Sequence, residues 1–166
     1  VSDWRRSLQF ITTGSAPSIA CLQFAFRTER FKLIVTPPGQ GENLSAVAYL
    51  KQKNSHFAAG CRQAEIDAAP AHVRQAYAIY QLPPEYELYD VVNDPGEWNN
   101  LAESPEHQAT LQALLAEFQR AREQIGDPFA DPLNVQFWIQ EQDSGRRINY
   151  RRMDYRWGYL DRFTRR

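Results

Sequence analysis

Residues that build metal sites and disulfide frameworks are scarce in this sequence. It contains two cysteines, Cys21 and Cys61, and three histidines, His56, His72 and His107. The cysteines form no Cys-x-x-Cys pair and the histidines no His-Glu-x-x-His motif, so the spacings typical of zinc sites are absent. We interpret both cysteines as small core residues and leave a disulfide between them open. His107 falls in the first turn of a predicted helix, where we expect it to be exposed to solvent.

Long apolar runs are absent as well. No segment approaches the roughly 20 apolar residues that cross a bilayer, and no signal peptide opens the chain. We therefore expect no membrane partner. Because Val1 is not preceded by a methionine, we interpret the chain as an excised piece or a processed product. The missing signal then says nothing about the compartment.

Motifs for nucleophilic or phosphate chemistry are also missing. Ser15 lies in Gly-Ser-Ala-Pro-Ser, which is not the Gly-x-Ser-x-Gly of a nucleophile elbow. The glycines at positions 39 and 41 are not followed by Lys-Ser/Thr, so a phosphate-binding loop is not indicated. A group of acids and amides lacks the alternating ligands of a calcium loop, and we interpret it as a turn with polar caps: Asp90, Asn93, Asp94 and Glu97. The sequence predicts no catalytic residue and no metal ligand.

What the chain does contain is a pattern of short strands and Pro-bounded helices. Strands are predicted at residues 8–13, 21–27, 31–35 and 86–91, and the short connection at 28–30 predicts an antiparallel hairpin. Helices are predicted after the cap Asn43, from Pro70 to the Pro83-Pro84 pair, and from about Asn134, with residues 51–69 irregular or weakly helical. One domain is the default for a chain of 166 residues.

The strongest helical signal follows Pro105. Apolar residues recur at helical spacing up to about Gln124, with Gly126 past the end: Leu111, Leu114, Leu115, Phe118 and Ile125. Together these elements predict an α+β fold, in which a small, mostly antiparallel sheet of about four strands packs against one long C-terminal helix plus shorter helices. We place the main unit at residues 1–132. Residues 133–166 are predicted to be a short helix and an Arg/aromatic-rich tail that packs on that unit or on a parent domain.

Residues 86–101 form the most informative stretch. Tyr86, Leu88 and Val91 alternate with acids, which predicts a strand with one buried face. Pro95-Gly96 then predicts a tight turn, in which Gly96 supplies the positive φ. Trp98 and Leu101 follow as apolar anchors, with Trp98 tucked beneath the turn. Ser104 and Pro105 are a typical helix start.

The same stretch resembles a known family. Glu87-Leu88-Tyr89-Asp90, Asn93-Asp94-Pro95-Gly96-Glu97 and Asn99-Asn100-Leu101-Ala102 resemble the C-terminal region of type I sulfatases, and residues 27–34, Arg-Thr-Glu-Arg-Phe-Lys-Leu-Ile, resemble the strand preceding it there. The long insert between the motifs and Asp127-Pro128 look most like the heparan N-sulfatase branch. The resemblance covers roughly residues 8–132. It implies a small antiparallel subdomain with a helix, packed against a larger catalytic domain that carries formylglycine and calcium and is often exported.

The resemblance also implies what this chain does. The formylglycine-generating motif Cys/Ser-x-Pro/Ala-x-Arg is absent, as is the acidic metal-binding cluster. We therefore expect no cofactor in this chain, and a sulfatase or sulfamatase parent to which it adds stability and one pocket wall without hydrolysing substrate by itself. Candidate substrate contacts are Arg27, Arg30 and Lys32, and the structural motif comprises Tyr89, Asp90, Asp94, Pro95, Gly96, Asn100 and Leu101.

Two departures from the family pattern affect the substrate contacts. Phe24 stands where many relatives have an arginine, and Gly14 where they often have a histidine. Both departures remove polar groups that would face the substrate. An altered or lost substrate site is therefore an open alternative, and ion pairing at the surface or an interface is the simpler role for Arg27 and Arg30.

The charge distribution leaves an alternative open. Residues 146–166 contain eight arginines against Asp154 and Asp161, a charge of +6, so with −1 for the whole chain the other 145 residues carry −7. Arginines interleaved with aromatic residues suit sulfated glycan, single-stranded nucleic acid or packing on an acidic surface. We favour packing. The alternative function is a non-enzymatic binding module for an acidic polymer, with sulfated glycan preferred to nucleic acid.

Overall fold

A four-stranded antiparallel sheet organises the chain. The computed structural model describes residues 7–12, 21–51, 61–147 and 157–164. The strands are β1 (Leu8–Thr12), β2 (Gln23–Arg27), β3 (Phe31–Val35) and β4 (Tyr86–Asp90), in the order β1-β2-β3-β4. Every neighbouring pair is antiparallel, so the predicted hairpin and the predicted α+β class are confirmed.

The described part of the chain contains six α-helices. They are α1 (Leu44–Lys51), α2 (Gln63–Asp67), α3 (Ala71–Gln81), α4 (Gln108–Gln124), α5 (Pro132–Arg147) and α6 (Gly158–Thr164). Asn43 caps α1 as predicted, because its Oδ1 accepts the Ala46 amide at 3.3 Å. Pro105 begins a single turn of 3-10 helix, Pro105–His107, and α4 proper starts at Gln108. The last predicted helix starts at Pro132 rather than Asn134 and is 16 residues long, so the expectation of a short helix was wrong.

One face of the sheet forms the main core with α4. The register aligns Phe26 with Leu33 and Leu33 with Leu88, and all three side chains are fully buried. Phe118 of α4 packs its ring 5.7 Å from that of Phe26 and 6.0 Å from that of Phe24. Burial of each such side chain contributes roughly 1.5–3 kcal/mol, so this layer is the main source of stability.

The apolar stripe predicted for α4 is correct except at its end. Ile125 is 67% exposed, because the helix stops at Gln124 and Gly126, at φ +67, turns the chain away. Arg122 takes the buried position one turn after Phe118. Its guanidinium lies 4.2 Å from the centroid of the Phe24 ring, and its Nε donates to Asp127 at 2.8 Å.

Strand β4 is buried on both faces, so the prediction of one buried face was wrong. Leu88 and Asp90 lie on the α4 side, whereas Glu87 and Tyr89 lie on the second face and are also buried. The cause is tertiary, because α3 lies opposite that face and lines a pocket together with the strands. The alternation of apolar and acidic residues predicted that one face of the strand is exposed. In the structure both faces are buried, one against α4 and the other beside the pocket.

The C-terminal helices add to the same core. Tyr159 and Phe163 of α6 pack against it, and the Phe163 ring lies 5.0 Å from that of Phe129. The Glu141 carboxylate of α5 accepts the backbone amides of Gly158 at 2.6 Å and Tyr159 at 2.7 Å, which anchors the start of α6. The division of the chain at residue 132 stays a prediction.

The cysteines and histidines can now be placed. Cys21 is buried and Cys61 half-buried, and both are free, so no disulfide joins them. Burial raises the pKa of the Cys21 thiol. His107 was expected to be exposed, but its side chain is only 22% exposed because the ring packs edge-on to Phe31. His56, Ser15 and Gly14 lie outside the described residues.

Candidate functional site

The acids and amides at the end of β4 and after it stabilise the turn that follows the strand. Oδ2 of Asp90 accepts hydrogen bonds from Arg30 Nη2 at 2.7 Å and Nε at 3.0 Å, and from Asn93 Nδ2 at 2.8 Å. Its Oδ1 accepts the Val92 and Asn93 amides at 3.3 and 3.2 Å. The hydrogen bonds from Arg30 are the main reason why the pKa of Asp90 lies far below its ordinary value. Both oxygens are occupied, which fits a turn with polar caps.

Asn100 and Leu101 cover the outer edge of β4. Asn100 Oδ1 accepts the Leu88 amide at 2.9 Å and the Ala102 amide at 3.0 Å, while its Nδ2 donates to the Tyr86 carbonyl at 3.2 Å. The Leu101 amide donates to the Leu88 carbonyl at 2.7 Å. The Asn100 side chain and the Leu101 amide thus take the place of a neighbouring strand. They provide hydrogen bonds for backbone N–H and C=O groups that would be unpaired at the edge of the sheet.

The turn uses Gly96 differently from the prediction. The residue with positive φ is Glu97, at 56°, and not Gly96. Gly96 is instead required by a close approach, because a Cβ there would lie 2.2 Å from the Trp98 indole Nε1. Trp98 is 42% exposed rather than tucked into the core, and its ring meets the His72 ring of α3 edge-on at 4.8 Å. The side chain thereby links the turn to α3.

A pocket of about 200 Å³ lies between the second face of the sheet and α3. Strand residues Gln23, Ile34, Glu87 and Tyr89 form one side, and Tyr80 of α3 lies among the residues opposite. Glu97 and Trp98 from the turn also line the pocket. The pocket thus combines three aromatic side chains with two carboxylates.

Glu87 is the most unusual residue in this pocket, since it is an acidic residue that is only 5% exposed. The Tyr89 hydroxyl donates a hydrogen bond to its Oε2 at 2.6 Å. Burial raises the pKa of Glu87, while the Tyr89 hydrogen bond and the Lys32 charge oppose that rise. Burial also raises the pKa of Tyr89, reinforced by the hydrogen bond to Glu87, so the phenol stays neutral. Lys32 Nζ itself donates to Glu97 Oε2 at 2.5 Å.

The three predicted substrate contacts do not converge. Arg27 and Lys32 are register partners on the second face, where Arg27 is exposed and Lys32 is paired with Glu97. Arg30 lies in the hairpin turn, bound to Asp90 and placed over the Phe31 ring at 4.9 Å. Their role in substrate binding stays a prediction.

Glu87 was not among the predicted site residues, because the alternation of apolar and acidic residues in the strand indicated an outward, polar position for it. A usable signal was present, because Glu87 and Tyr89 are two residues apart and therefore share one face of the strand. The cover that buries them comes from α3, whose placement the sequence does not reveal.

Other classes of site find no support in the described ranges. No group of three or more His, Cys, Asp or Glu side chains in residues 7–12, 21–51, 61–147 and 157–164 is arranged to hold a metal ion. Over the same ranges no helix combines the length and apolar character needed to cross a membrane.

Comparisons with known proteins give likenesses among solved structures, and we describe one of them. No family model matches the sequence, and no curated protein matches it. Among solved structures, the chain is similar to BT4656, described in complex with its substrate D-glucosamine-2-N,6-O-disulfate, with a TM-score of 0.45 and 18% sequence identity. The match covers 77% of this chain and spans only 17% of that one. At this level of similarity the likeness carries no argument about activity.

Proposed function

We propose that this chain is the C-terminal portion of a sulfatase, of the heparan N-sulfatase-like branch, that hydrolyses a sulfuric ester or a sulfamate. Its role is to stabilise the enzyme and to form one wall of the substrate pocket. The proposal rests on the sequence motifs at residues 27–34 and 87–102. It also includes an N-terminal catalytic domain as partner, with calcium and formylglycine in that domain, and export from the cytoplasm.

One observation carries the structural role. The polar groups that make the motif recognisable are used within the chain: Asp90 by Arg30 and Asn93, and Asn100 by the edge of β4. Asp94 Oδ2 likewise accepts the Asn99 amide at 2.7 Å. Side chains engaged in this way orient a strand, a turn and a helix, and they have little capacity left for bond-breaking chemistry.

Arg27 is the best candidate for a substrate contact. It is exposed, and its guanidinium makes no hydrogen bond or ion pair with the described residues. A guanidinium in this state can bind a sulfate or carboxylate group in bidentate fashion. Arg30 and Lys32 would first have to leave Asp90 and Glu97.

The experiment begins with the complete gene. A longer reading frame that encodes Cys/Ser-x-Pro/Ala-x-Arg upstream is the expected finding, and a reading frame without it contradicts the proposal. The whole protein should then hydrolyse sulfated or N-sulfated glucosamine substrates. The 166-residue chain alone should not turn over a chromogenic aryl sulfate above a heat-killed control, and measurable turnover would contradict this part of the proposal.

The role of Arg27 is tested in the whole protein. Arg27→Ala should raise KM for an anionic sugar about tenfold, as expected for loss of one charge-assisted contact. Arg120→Ala is the matched control, since Arg120 is an exposed residue of α4. Equal KM values for the two variants would remove Arg27 from the site.

The binding-module alternative is tested separately. In the described part of the tail, Tyr159 and Phe163 pack inward and Arg162 is engaged by Asn134 and the Phe137 ring, which supports packing over polymer binding. Salt-dependent retention on heparin, with no retention on single-stranded DNA, would favour the sulfated-glycan alternative.

A further inference from the structure

The pocket on the second face carries more negative than positive charge. Glu87 and Glu97 line it, and the Lys32 ammonium beside them is bound to Glu97. One oxygen of Glu87 accepts the Tyr89 hydroxyl, and its Oε1 accepts no hydrogen bond from the described residues. Glu87 is a buried residue, 5% exposed, that lines an open pocket, and its Oε1 keeps some accessible surface there, so a ligand in the pocket can donate a hydrogen bond to this oxygen.

Aromatic side chains surround these carboxylates. Trp98 and Tyr80 are each 42% exposed and Tyr89 is buried, and all three line the pocket. Aromatic ring faces attract cations, and the attraction strengthens when the cation is partly removed from water. Carboxylates combined with aromatic rings therefore favour a positively charged organic group over an anion or a purely apolar group.

We propose that this pocket binds an alkylammonium group, held between the Glu87 and Glu97 carboxylates and the Trp98, Tyr80 and Tyr89 rings. The volume of about 200 Å³ suits a small amine or the side chain of a lysine. A sulfated sugar would instead meet two carboxylates, so this pocket is separate from any contact made by Arg27. The proposal does not depend on the proposed function.

The test is a titration of the 166-residue chain with n-butylammonium chloride, with sodium chloride added to the reference samples at equal ionic strength. The readout is the indole NH resonance of Trp98, assigned with Trp98→Phe. We expect a saturable shift with a dissociation constant in the millimolar range, and no saturable shift with n-butanol. A second titration with N-acetyl-lysine methylamide identifies the source of the ammonium group. If the natural ligand is a lysine of a partner protein, this compound should bind as well as n-butylammonium or better. If the natural ligand is a free amine, n-butylammonium should bind and N-acetyl-lysine methylamide should not.

Variants locate the interaction. Glu87→Gln should weaken n-butylammonium binding about tenfold, because it removes one ionic hydrogen-bond acceptor. Glu103→Gln is the matched control, since it makes the same change at an exposed carboxylate that does not line the pocket. Glu97→Gln and Trp98→Ala, at less buried positions, keep the test decisive if Glu87→Gln does not fold.

Several results would overturn the proposal. They are the absence of a saturable shift, equal shifts with n-butylammonium and n-butanol, and equal affinities of the Glu87→Gln and Glu103→Gln proteins. If Glu87→Gln does not fold, unchanged affinity in both Glu97→Gln and Trp98→Ala counts equally against it. A saturable shift with glucose but not with n-butylammonium would make this a neutral-sugar site.

Discussion

Asn100 should be among the most important polar residues for stability, although it is not part of the apolar core. Its side chain accepts the Leu88 and Ala102 amides and donates to the Tyr86 carbonyl. Leu88 is fully buried and Ala102 nearly so, which means that water does not readily replace the lost acceptor. Asn100→Ala therefore leaves two buried N–H groups and one carbonyl without their partner.

The expected cost follows from these three bonds. A buried donor left without an acceptor costs about 1–3 kcal/mol, and a carbonyl keeps a second lone pair and suffers less. We expect Asn100→Ala to lower the free energy of unfolding by about 3 kcal/mol. That is a large part of the roughly 5–15 kcal/mol by which a native domain is stable. Asn100→Asp should also destabilise, because it places a carboxylate oxygen against the Tyr86 carbonyl.

The measurement is urea unfolding followed by circular dichroism, analysed by linear extrapolation. Asn99→Ala is a close control, since Asn99 is the preceding residue and only its backbone amide is bonded, to Asp94. We expect the control to change stability by less than about 0.5 kcal/mol. If Asn100→Ala unfolds at the same urea concentration as Asn99→Ala, the edge of β4 does not depend on this side chain and the reasoning is refuted.

Three further predictions concern the turn. Gly96→Ala should destabilise by about 1 kcal/mol by displacing the Trp98 indole, and this cost should vanish when Trp98→Ala is the background, so additive effects in urea unfolding would contradict it. The Glu97→Gly protein should be more stable than the Glu97→Ala protein by about 1 kcal/mol. Both variants lose the ion pair with Lys32, but only glycine adopts φ 56° without strain, so equal stabilities would show that the backbone at Glu97 is not strained. Asp90 has a lowered pKa in the fold, so its stabilisation is complete above its ordinary value of 3.8 and is lost as pH falls below it. Melting temperatures from pH 2 to 7 should therefore fall more steeply on acidification in the native chain than in Asp90→Asn, and parallel curves would contradict this.

Local patterns in the sequence were sufficient to predict the strands of the sheet and helix α4. Residues 31–35 were predicted and observed as a strand with the same bounds, because β-branched and aromatic residues between polar turns have few alternatives. The end of α4 at Gln124 was predicted from Gly126, whose φ of +67 is an ordinary helix termination. In both cases the decisive interactions lie within a few residues along the chain.

The candidate site was not predictable in the same way. Glu87 lies in a pocket only because α3, separated from it by the Pro83-Pro84 pair, lies opposite the second face of the sheet. The positive φ at Glu97 was not predicted, because glycine adopts positive φ most readily and Gly96 is the adjacent residue. Glycine is required at position 96 for a different reason, which is the close approach of the Trp98 indole. Long-range packing determined both outcomes, and a single sequence does not show it.

The side chains of the strand motif Glu87-Leu88-Tyr89-Asp90 fall into two pairs, which lie on opposite faces of the sheet. Successive side chains of a strand point to opposite faces, so Leu88 and Asp90 face the α4 side, where one fills the core and the other binds Arg30. Glu87 and Tyr89 face the pocket and are joined there by a 2.6 Å hydrogen bond. A purely structural role for the motif explains the first pair only. The second pair places a buried carboxyl with a raised pKa beside an open pocket, where an apolar residue would stabilise the fold at lower cost. A buried carboxyl beside an open pocket is expected of a binding surface, and Glu87 and Tyr89, two alternate residues of one strand, contribute to it together.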